Sequence, residues 1–250
     1  MPAPTANGLV IYEPKGAARE YAALATNPYI GCEHGCSYCY GPGAMHKTRE
    51  AYMMPQLRQD YLVKLERDAQ RMTPGEPIHL GFACDAYCLF DVEHQITRQA
   101  IEILHKHGHS VSVLTKGGSR SLRDLDLLGP KDAMGATLTF DNDADSLQWE
   151  PNAALPGDRL AALRAYHDEG VPTWASMEPV IVPAQSLELI RMAAPFVDTF
   201  KLGRWNHDVR AKAINWHQYA TEAVALVQAL GRDFMVKDAL RPFLPEEGAA

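Results

Sequence analysis

Short hydrophobic runs alternate with amphipathic segments along most of the chain. Apolar side chains recur every three or four positions at Leu57, Tyr61, Leu65, Ala69 and Met72. This spacing predicts an amphipathic helix that ends at Thr73-Pro74-Gly75. Further helices are predicted at residues 96–107, 122–128, 157–169, 187–193 and 214–230. Strands are predicted at residues 21–26, 78–82, 110–115, 136–140, 172–177, 197–202 and 233–236.

Alternating strands and helices of this length indicate an α/β fold with a parallel sheet. The pattern alone leaves two architectures open, a doubly wound open sheet and an open barrel built from six strand–helix units up to residue 202. We predict a single domain over residues 1–250, with a short extension at 1–20 and a tail at 238–250. In a parallel barrel, functional residues collect at the carboxyl ends of the strands.

Composition and charge restrict the class of protein. With 46% hydrophobic and 22% charged residues, 250 residues can bury one full core. The net charge of −7 argues against bulk electrostatic binding of nucleic acid. No apolar stretch approaches the ~20 residues that span a bilayer, and Met1-Pro2-Ala3-Pro4 does not begin a signal peptide. Five cysteines are too few for a disulfide framework, so we expect reduced thiols, a cytoplasmic location and no membrane partner.

Three of the cysteines stand close together. Cys32, Cys36 and Cys39 are spaced C-x3-C-x2-C, and the aromatic Tyr38 precedes the third. A [4Fe–4S] cluster ordinarily takes four thiolates, one per iron, and no fourth cysteine follows closely. The interpretation that uses every feature is a cluster held at three corners, with the fourth iron open to a chelating ligand. A zinc site is the poorer alternative, because the two remaining cysteines do not form the usual C-x2-C pair.

This run resembles the cluster motif of the radical SAM superfamily, CxxxCxΦC, in which Φ is aromatic. The wider run Asn27-Pro28-Tyr29 to Glu33-His34-Gly35 is similar to the branch that contains spore photoproduct lyase. The resemblance implies a parallel (β/α)6 partial TIM barrel, a [4Fe–4S] cluster and S-adenosyl-L-methionine (SAM) as cofactors. It also implies reductive cleavage of SAM to methionine and a 5′-deoxyadenosyl radical. An electron donor such as flavodoxin or ferredoxin would supply the electron.

Polar residues at the predicted strand ends match positions that bind SAM in the related enzymes. Asp85 matches an acidic residue of the related enzymes, which implies that it binds the amino group of SAM or a polar group of the substrate. The alternative is that Asp85 is a turn or helix-cap residue. Lys116 resembles a lysine for the SAM carboxylate or ribose, and Thr139 resembles a ribose-binding hydroxyl. Glu150 and Arg159 are expected to support the site as a buried pair. The resemblance gives as cofactor contacts Tyr38, Asp85, Lys116, Thr139, Asp141 and Gly203.

Cys84 and Cys88 are the candidate catalytic hydrogen donors. Spore photoproduct lyase has a hydrogen-donating cysteine in this neighbourhood, but alignment on Asp85 places that position nearer Phe82. The alternative for both cysteines is packing as small buried hydrophobes. We expect at least one of them to face the cavity. If neither donates, Tyr87 or the cofactor would quench the product radical, or no quenching is required.

The residues after the last predicted strand of the barrel are candidates for substrate binding, namely Arg204, Trp205, Asn206 and His207. Residues 201–217 carry four Lys or Arg against one Asp, with Trp205 and Trp216 interleaved. Aromatic rings beside cations hold single nucleobases, and an ordinary solvated helix start is an equal alternative. The resemblance to the spore photoproduct lyase branch, together with this stretch, implies hydrogen abstraction from a nucleobase or modified thymine in DNA. The expected chemistry is that of a lyase or isomerase in repair or base modification. A small molecule or peptide substrate is the second hypothesis, and a non-catalytic metal-binding protein the third.

Overall fold

A computed structural model describes residues 9–245 of the chain. Residues 1–8 of the predicted extension and residues 246–250 of the predicted tail lie outside the described residues, so the domain boundaries stay predictions. Within the described part, seven strands form a parallel sheet and two form an antiparallel ribbon. In chain order the strands are β1 Leu24–Thr26, β2 Tyr29–Ile30, β3 Gln56–Leu57, β4 Ile78–Leu80, β5 Val111–Thr115, β6 Ala133–Thr137, β7 Thr173–Met177, β8 Thr199–Leu202 and β9 Asp233–Val236.

The order of strands in the parallel sheet identifies the architecture. The strands lie in the order β1-β4-β5-β6-β7-β8-β9, so each crossover carries the chain in the same direction. A doubly wound sheet reverses direction at a switch point, and this alternative is therefore excluded. The predicted parallel partial-barrel fold is confirmed. Residues near the amino end extend the β1 edge, because Tyr12 pairs antiparallel with Ala25.

Helices connect the strands and cover the outer face of the sheet. Within residues 9–245 they are α1 Gly41–Ala44, α2 Arg49–Tyr52, α3 Tyr61–Arg71, α4 Leu89–His94, α5 Ile96–Lys106, α6 Asp143–Trp149, α7 Pro156–Asp168, α8 Pro183–Ala193 and α9 Trp216–Ala229. The five longer helices, α3, α5, α7, α8 and α9, were predicted. The four shorter helices were not, because each is only one or two turns of a connecting loop. None of the helices in this part of the chain combines the length and apolarity needed to cross a membrane.

The helix predicted at residues 122–128 is a 3-10 helix at Gly118–Leu127 instead. Its carbonyl groups have side-chain partners from other elements. The Tyr166 hydroxyl donates to the Ser121 carbonyl at 2.6 Å, and the Arg98 guanidinium donates to the Arg123 carbonyl at 3.1 Å. These bonds occupy acceptors that an α-helix would fill with its own amides, so tertiary contacts favour the tighter helix.

Strand β6 begins three residues before the predicted position. The sequence prediction began the strand at Ala136, directly after Gly135. In the structure Gly135 pairs with Trp174 on β7, and a Cβ atom at Gly135 would overlap the Trp174 indole. The glycine therefore lies inside the strand because the neighbouring aromatic ring requires its space.

Candidate active site

A cavity of about 380 Å³ opens at the carboxyl ends of the parallel strands. Its walls come from the cysteine loop after β2, the segments that follow β4, β5, β7, β8 and β9, and a 3-10 helix at Gly16–Glu20. This is the face of a parallel barrel on which active sites form. All three cysteines of the motif line the cavity, so the structure brings the predicted cluster ligands to one wall of one space.

The cysteine loop is held in a tightly curved path. Gly31 and Gly35 have φ values of +106° and +67°, which side chains with a Cβ rarely adopt. The Cys32 amide donates to the Tyr52 carbonyl at 2.8 Å, and the Gly41 amide donates to the Cys39 Sγ at 3.4 Å. The loop backbone thus wraps round the thiols, as it would have to round a cluster.

The three thiols have the chemistry to bind a [4Fe–4S] cluster at three irons, but the described residues do not form a ready-made metal site. Cys36 is buried, and Cys32 and Cys39 are half-buried beside the cavity. Burial raises the pKa of the Cys36 thiol to about 12, and it also raises the pKa of the Cys32 thiol well above its ordinary value, so a bound metal is needed to hold these groups as thiolates. Within residues 9–245 no group of three His, Cys, Asp or Glu side chains is placed to hold a metal ion in the ligand-free structure.

Asp85 lines the cavity, but the protein itself uses both of its carboxylate oxygens. Oδ1 accepts hydrogen bonds from the Tyr87 amide and the Thr115 hydroxyl at 2.8 and 2.6 Å. Oδ2 accepts from the Lys116 amide at 2.7 Å and lies 3.5 Å from Nδ1 of His34. Burial would raise the pKa of Asp85, yet His34 and these hydrogen bonds lower it. The geometry favours the turn-bracing alternative, in which Asp85 fixes the Lys116 backbone.

Lys116 extends from the end of β5 into the cavity wall. Its ammonium lies 5.6 Å from the centre of the Tyr38 ring, next to the cysteine loop. Burial works against the charged form, but Cys36 and Glu150 raise the pKa of Lys116 above its ordinary value. The side chain therefore stays cationic beside the predicted cluster, which is the charge needed to bind a carboxylate.

The predicted pair of Glu150 and Arg159 is confirmed as a buried ion pair. Glu150 also accepts hydrogen bonds from the Tyr38 hydroxyl and, at 3.2 Å, from the Thr139 hydroxyl. Thr139 is buried, and neither Thr139 nor Asp141 lines the cavity. Asp141 is half-buried and accepts from the Asn142 amide group at 3.1 Å. The cofactor roles of Thr139 and Asp141 stay predictions, while the network fixes Tyr38 over the cysteine loop.

Of the three candidate catalytic residues, only Cys84 lines the cavity. Cys88 is fully buried in the hydrophobic core, and burial raises its thiol pKa. Tyr87 is also fully buried, with the Arg123 guanidinium 5.4 Å from its ring centre. The expectation that one of the two cysteines faces the cavity therefore fits Cys84, whose catalytic role stays untested.

The residues after β8 divide between the cavity and the outer surface. Trp205, Asn206 and His207 line the cavity, whereas Arg204 lies over the Trp216 ring at 5.7 Å and donates to Asn206. Gly203 faces protein rather than open space, because a Cβ there would lie 3.0 Å from the Glu178 side chain. Three of the four predicted substrate residues thus share the cavity with the cysteines.

The aromatic residues of the basic stretch are less available than expected. Trp216 is buried, and its indole N–H donates to the Ala211 carbonyl at 2.9 Å. Trp205 is also buried, with the Arg210 guanidinium 4.8 Å from its ring, and Arg210 pairs with Asp208 at 2.6 Å. Packing accounts for Trp216, so of these two rings only Trp205 borders the cavity.

A polar cluster that was not predicted lies in the same cavity and is centred on Glu178 at the end of β7. We name it the Glu178 cluster, and it comprises Tyr21, Ser176, Glu178, Asn206 and Lys237. Lys237 follows β9 and forms an ion pair with Glu178. The Tyr21 hydroxyl lies 3.1 Å from Glu178 Oε2 and 2.9 Å from the Ser176 hydroxyl, and Asn206 donates to Glu178 Oε1 at 2.7 Å. The polar strand end at Ser176-Met177-Glu178 was the only local signal for it.

The ammonium groups of two lysines lie over the Tyr21 ring. The ammonium groups of Lys237 and Lys201 lie 4.3 and 4.9 Å from its ring centre, and Lys201 also lies 3.9 Å from the Trp174 ring. Such cation–π contacts strengthen when water is excluded. Burial, reinforced by Lys237, lowers the pKa of Lys201 to about 8. These contacts hold the segment before β1 against the barrel interior, and Tyr21 of this segment lines one side of the cavity.

The sequence and the fold of this chain were compared with those of known proteins. No family model matches the chain. An uncharacterised protein of Methanocaldococcus jannaschii is 25% identical over 193 residues, which cover 72% of this chain and 69% of that protein. A solved single-residue mutant of spore photoproduct lyase superposes with a TM-score of 0.70 at 14% identity, covering 92% of this chain and 79% of the lyase chain.

Two further solved structures contain the cofactor that the motif implies. A spore photoproduct lyase mutant with bound AdoMet and dinucleoside spore photoproduct gives a TM-score of 0.63 at 18% identity, covering 83% of this chain and 63% of that one. SuiB of Streptococcus suis, bound to S-adenosylmethionine, gives 0.64 at 10% identity, covering 90% of this chain and 53% of SuiB. This chain thus spans less than two thirds of either solved chain. The chain therefore has the fold of these neighbours, and the partial barrel that the resemblance of its cysteine motif implied is confirmed.

Proposed function

We propose that this protein is a radical SAM enzyme of the spore photoproduct lyase-like branch. The observation that carries the proposal is the position of Cys32, Cys36 and Cys39 on the wall of one cavity at the carboxyl ends of the strands. A [4Fe–4S] cluster held by these thiolates would supply the electron that cleaves SAM to methionine and a 5′-deoxyadenosyl radical. The shared fold and the cysteine spacing support the same activity.

The residues around the cysteines would have different roles in binding SAM. Lys116 offers a compact positive charge for the carboxylate of SAM, and Tyr38 forms the wall next to it. Asp85 acts on the same group indirectly, because its Oδ2 fixes the Lys116 amide at 2.7 Å. Gly203 keeps the backbone after β8 close to Glu178. These residues would hold the cofactor beside the cysteine loop.

The proposed substrate is a nucleobase or a modified thymine in DNA, converted by a lyase or isomerase reaction. Support comes from the resemblance to the lyase branch and from the aromatic side chains in the lining, namely Tyr21, Phe82 and Trp205. Planar rings of this kind stack on extruded or single-stranded bases. A base held in a duplex would first have to leave the helix, at a cost that contacts with the protein must offset.

A small molecule or peptide is the second candidate substrate. The pairing of the basic side chains at residues 201–217 favours it, because Arg210 is bound to Asp208 and Arg204 lies over Trp216. Fewer cations are then free to bind a phosphate backbone. Salt dependence separates the two candidates, since each phosphate contact adds to the slope of binding affinity against salt.

The electron donor and the location complete the proposal. Reduction of the cluster requires an external one-electron donor such as flavodoxin or ferredoxin. The free cysteines of the described chain suit a reducing compartment, and we therefore propose the cytoplasm.

The test begins with anaerobically reconstituted protein. Iron and sulfide analysis, followed by assays for methionine and 5′-deoxyadenosine after reduction, should give a [4Fe–4S] cluster and both products. Zinc in place of iron, or no cleavage of SAM, would show a non-catalytic metal-binding protein instead. Mass spectrometry of nucleosides from DNA treated with reduced enzyme then tests the substrate, and unaltered DNA with no measurable DNA binding would favour the second candidate.

A further inference from the structure

The Glu178 cluster has the features of a binding site rather than of a stabilising contact. Side chains from four separate parts of the chain converge on one carboxylate, and Glu178, Lys237, Tyr21 and Asn206 all line the cavity. The Lys237 side chain is 4% exposed and that of Glu178 is 19% exposed. Desolvation of such a pair offsets most of its attraction, so buried ion pairs contribute little to stability. Charged groups retained inside a cavity are therefore candidates for ligand contacts.

Counting hydrogen bonds shows what the cluster can still offer. Among residues 9–245, Glu178 Oε2 accepts from the Lys237 ammonium and the Tyr21 hydroxyl, whereas Oε1 accepts only from the Asn206 amide. Since a carboxylate oxygen has two acceptor positions, one position on Oε1 is left. Lys237 donates to Glu178 and to the Tyr21 hydroxyl at 3.3 Å, so one of its three N–H groups is left. The pair thus presents an acceptor beside a donor.

The charge of the cluster restricts the ligand further. Glu178 and Lys237 neutralise each other, and Lys201 adds a second ammonium near Lys237, both over the Tyr21 ring. The two ammonium groups would repel a cationic ligand, whereas a neutral group experiences no such electrostatic repulsion. Phe82 and Tyr21 stand edge to face beside the cluster with ring centres 5.9 Å apart, and both rings line the cavity, so they offer apolar aromatic surface to a ligand.

We propose that Glu178 and Lys237 bind the C=O/N–H edge of a lactam or imide group in the substrate. The substrate carbonyl accepts from the Lys237 ammonium, and the adjacent N–H donates to Glu178 Oε1. Tyr21 and Asn206 are positioning residues that hold the carboxylate. The inference rests on the proposed function, since it assigns the substrate half of the same cavity. This edge occurs in pyrimidine and purine nucleobases and equally in cyclic peptides.

The experiment measures binding to the SAM-loaded, unreduced holoenzyme, so that no turnover occurs. The probes are thymidine and cyclic glycylglycine, each compared with an analogue in which the N–H is methylated. Isothermal titration gives the affinity of each probe and, separately, of SAM. Iron content and 5′-deoxyadenosine formation are measured on the same preparations, and loss of these would count against the proposed function rather than against this site.

Three variants accompany the wild type. Glu178→Gln keeps the shape of the side chain but replaces one carboxylate oxygen with an NH2 donor, while the Lys237 ammonium holds the remaining oxygen. The double variant Glu178→Leu/Lys237→Met removes both charges and both hydrogen-bonding groups together, so that folding leaves no unpaired buried ammonium. Glu66→Gln is the matched control, because Glu66 pairs with Lys106 at 2.7 Å outside the cavity.

In the wild type and the Glu66→Gln control, N-methylation of at least one probe should weaken binding by about tenfold or more, as expected for a hydrogen bond to a charged group. The two Glu178 variants should bind the methylated and unmethylated probes equally. The probe that shows the effect tells a nucleobase from a cyclic amide. Failure of both probes to bind, equal affinities in the wild type, or discrimination retained in Glu178→Gln would each overturn the assignment. So would a loss confined to SAM affinity, because the carboxylate would then serve the cofactor.

Discussion

The two ends of the cavity are built in opposite ways. At one end, Cys32, Cys36 and Cys39 come from a single loop whose spacing alone suggests what it binds. At the other end, the Glu178 cluster draws on side chains as far apart as Tyr21 and Lys237, separated by 216 positions in the chain. A local motif can be recognised in the sequence, whereas a cluster assembled by folding has no spacing to recognise. The comparison suggests that the cysteine end defines the shared chemistry and the far end defines the substrate.

The largest expected effect comes from the cysteine end. Cys32→Ala, Cys36→Ala or Cys39→Ala should each abolish formation of 5′-deoxyadenosine, because every thiolate holds a different iron. Iron analysis after anaerobic reconstitution should fall well below the about four irons per chain expected of a [4Fe–4S] cluster. Cys88→Ala is the control, since Cys88 lies in the core outside the cavity lining. Cleavage at the wild-type rate in any one of the three variants would contradict the cluster assignment.

The next effect should separate cofactor binding from cluster binding. Lys116→Ala removes a cation from the cavity wall beside Tyr38, and should weaken SAM binding on the order of a hundredfold, as for truncation of a buried charge partner. Iron content should stay at the wild-type value, because Lys116 contacts no cysteine thiol through a hydrogen bond in the described residues. Equilibrium binding of SAM measures the effect, with the exposed Lys106→Ala as control. Unchanged affinity would remove Lys116 from the cofactor site.

The same comparison explains how much the sequence could tell. The long amphipathic helices, such as α5 and α7, follow from periodicity, and the cysteine loop follows from spacing. The shift of β6 depends on the Trp174 ring that lies over Gly135, which no local pattern contains. The Glu178 cluster depends on contacts between the segment before β1 and the loops after β7, β8 and β9. Asp85 was recognised at the right place, but its hydrogen bonds to Thr115 and Lys116 depend on the neighbouring strand.

A third prediction concerns the barrel interior beneath the Glu178 cluster. Burial, with a contribution from Lys201, lowers the pKa of His79 to about 3, and neither ring nitrogen has a hydrogen-bond partner among the described residues. The unfolded chain binds a proton below about pH 6.5 while the folded chain does not. The free energy of unfolding should therefore fall as pH decreases from about 6.5 towards 3, by ~2 kcal/mol between pH 7 and 5.

His79→Phe should remove this part of the pH dependence and keep the stacking on Phe82, whose ring centre is 4.2 Å away. Denaturant unfolding of the cluster-free proteins at pH 7 and 5, followed by circular dichroism, measures the difference. Equal losses of stability in the wild type and the variant would show that His79 is protonated in the folded protein.

The smallest expected effect concerns Cys84, a cysteine outside the cluster motif. Cys84 lines the cavity and Cys88 does not, so only Cys84 is placed to return a hydrogen atom to a substrate radical. Cys84→Ser and Cys88→Ser should both cleave SAM within about twofold of the wild-type rate, because abstraction precedes any return of hydrogen.

The position of the lyase donor falls nearer Phe82 in this chain, and we therefore expect product formation by Cys84→Ser to be unchanged as well. A fall in product, or a shift to by-products, with cleavage intact would assign the donor role to Cys84. The same result in Cys88→Ser would contradict its placement in the core, since a thiol packed away from the cavity has no path to the substrate.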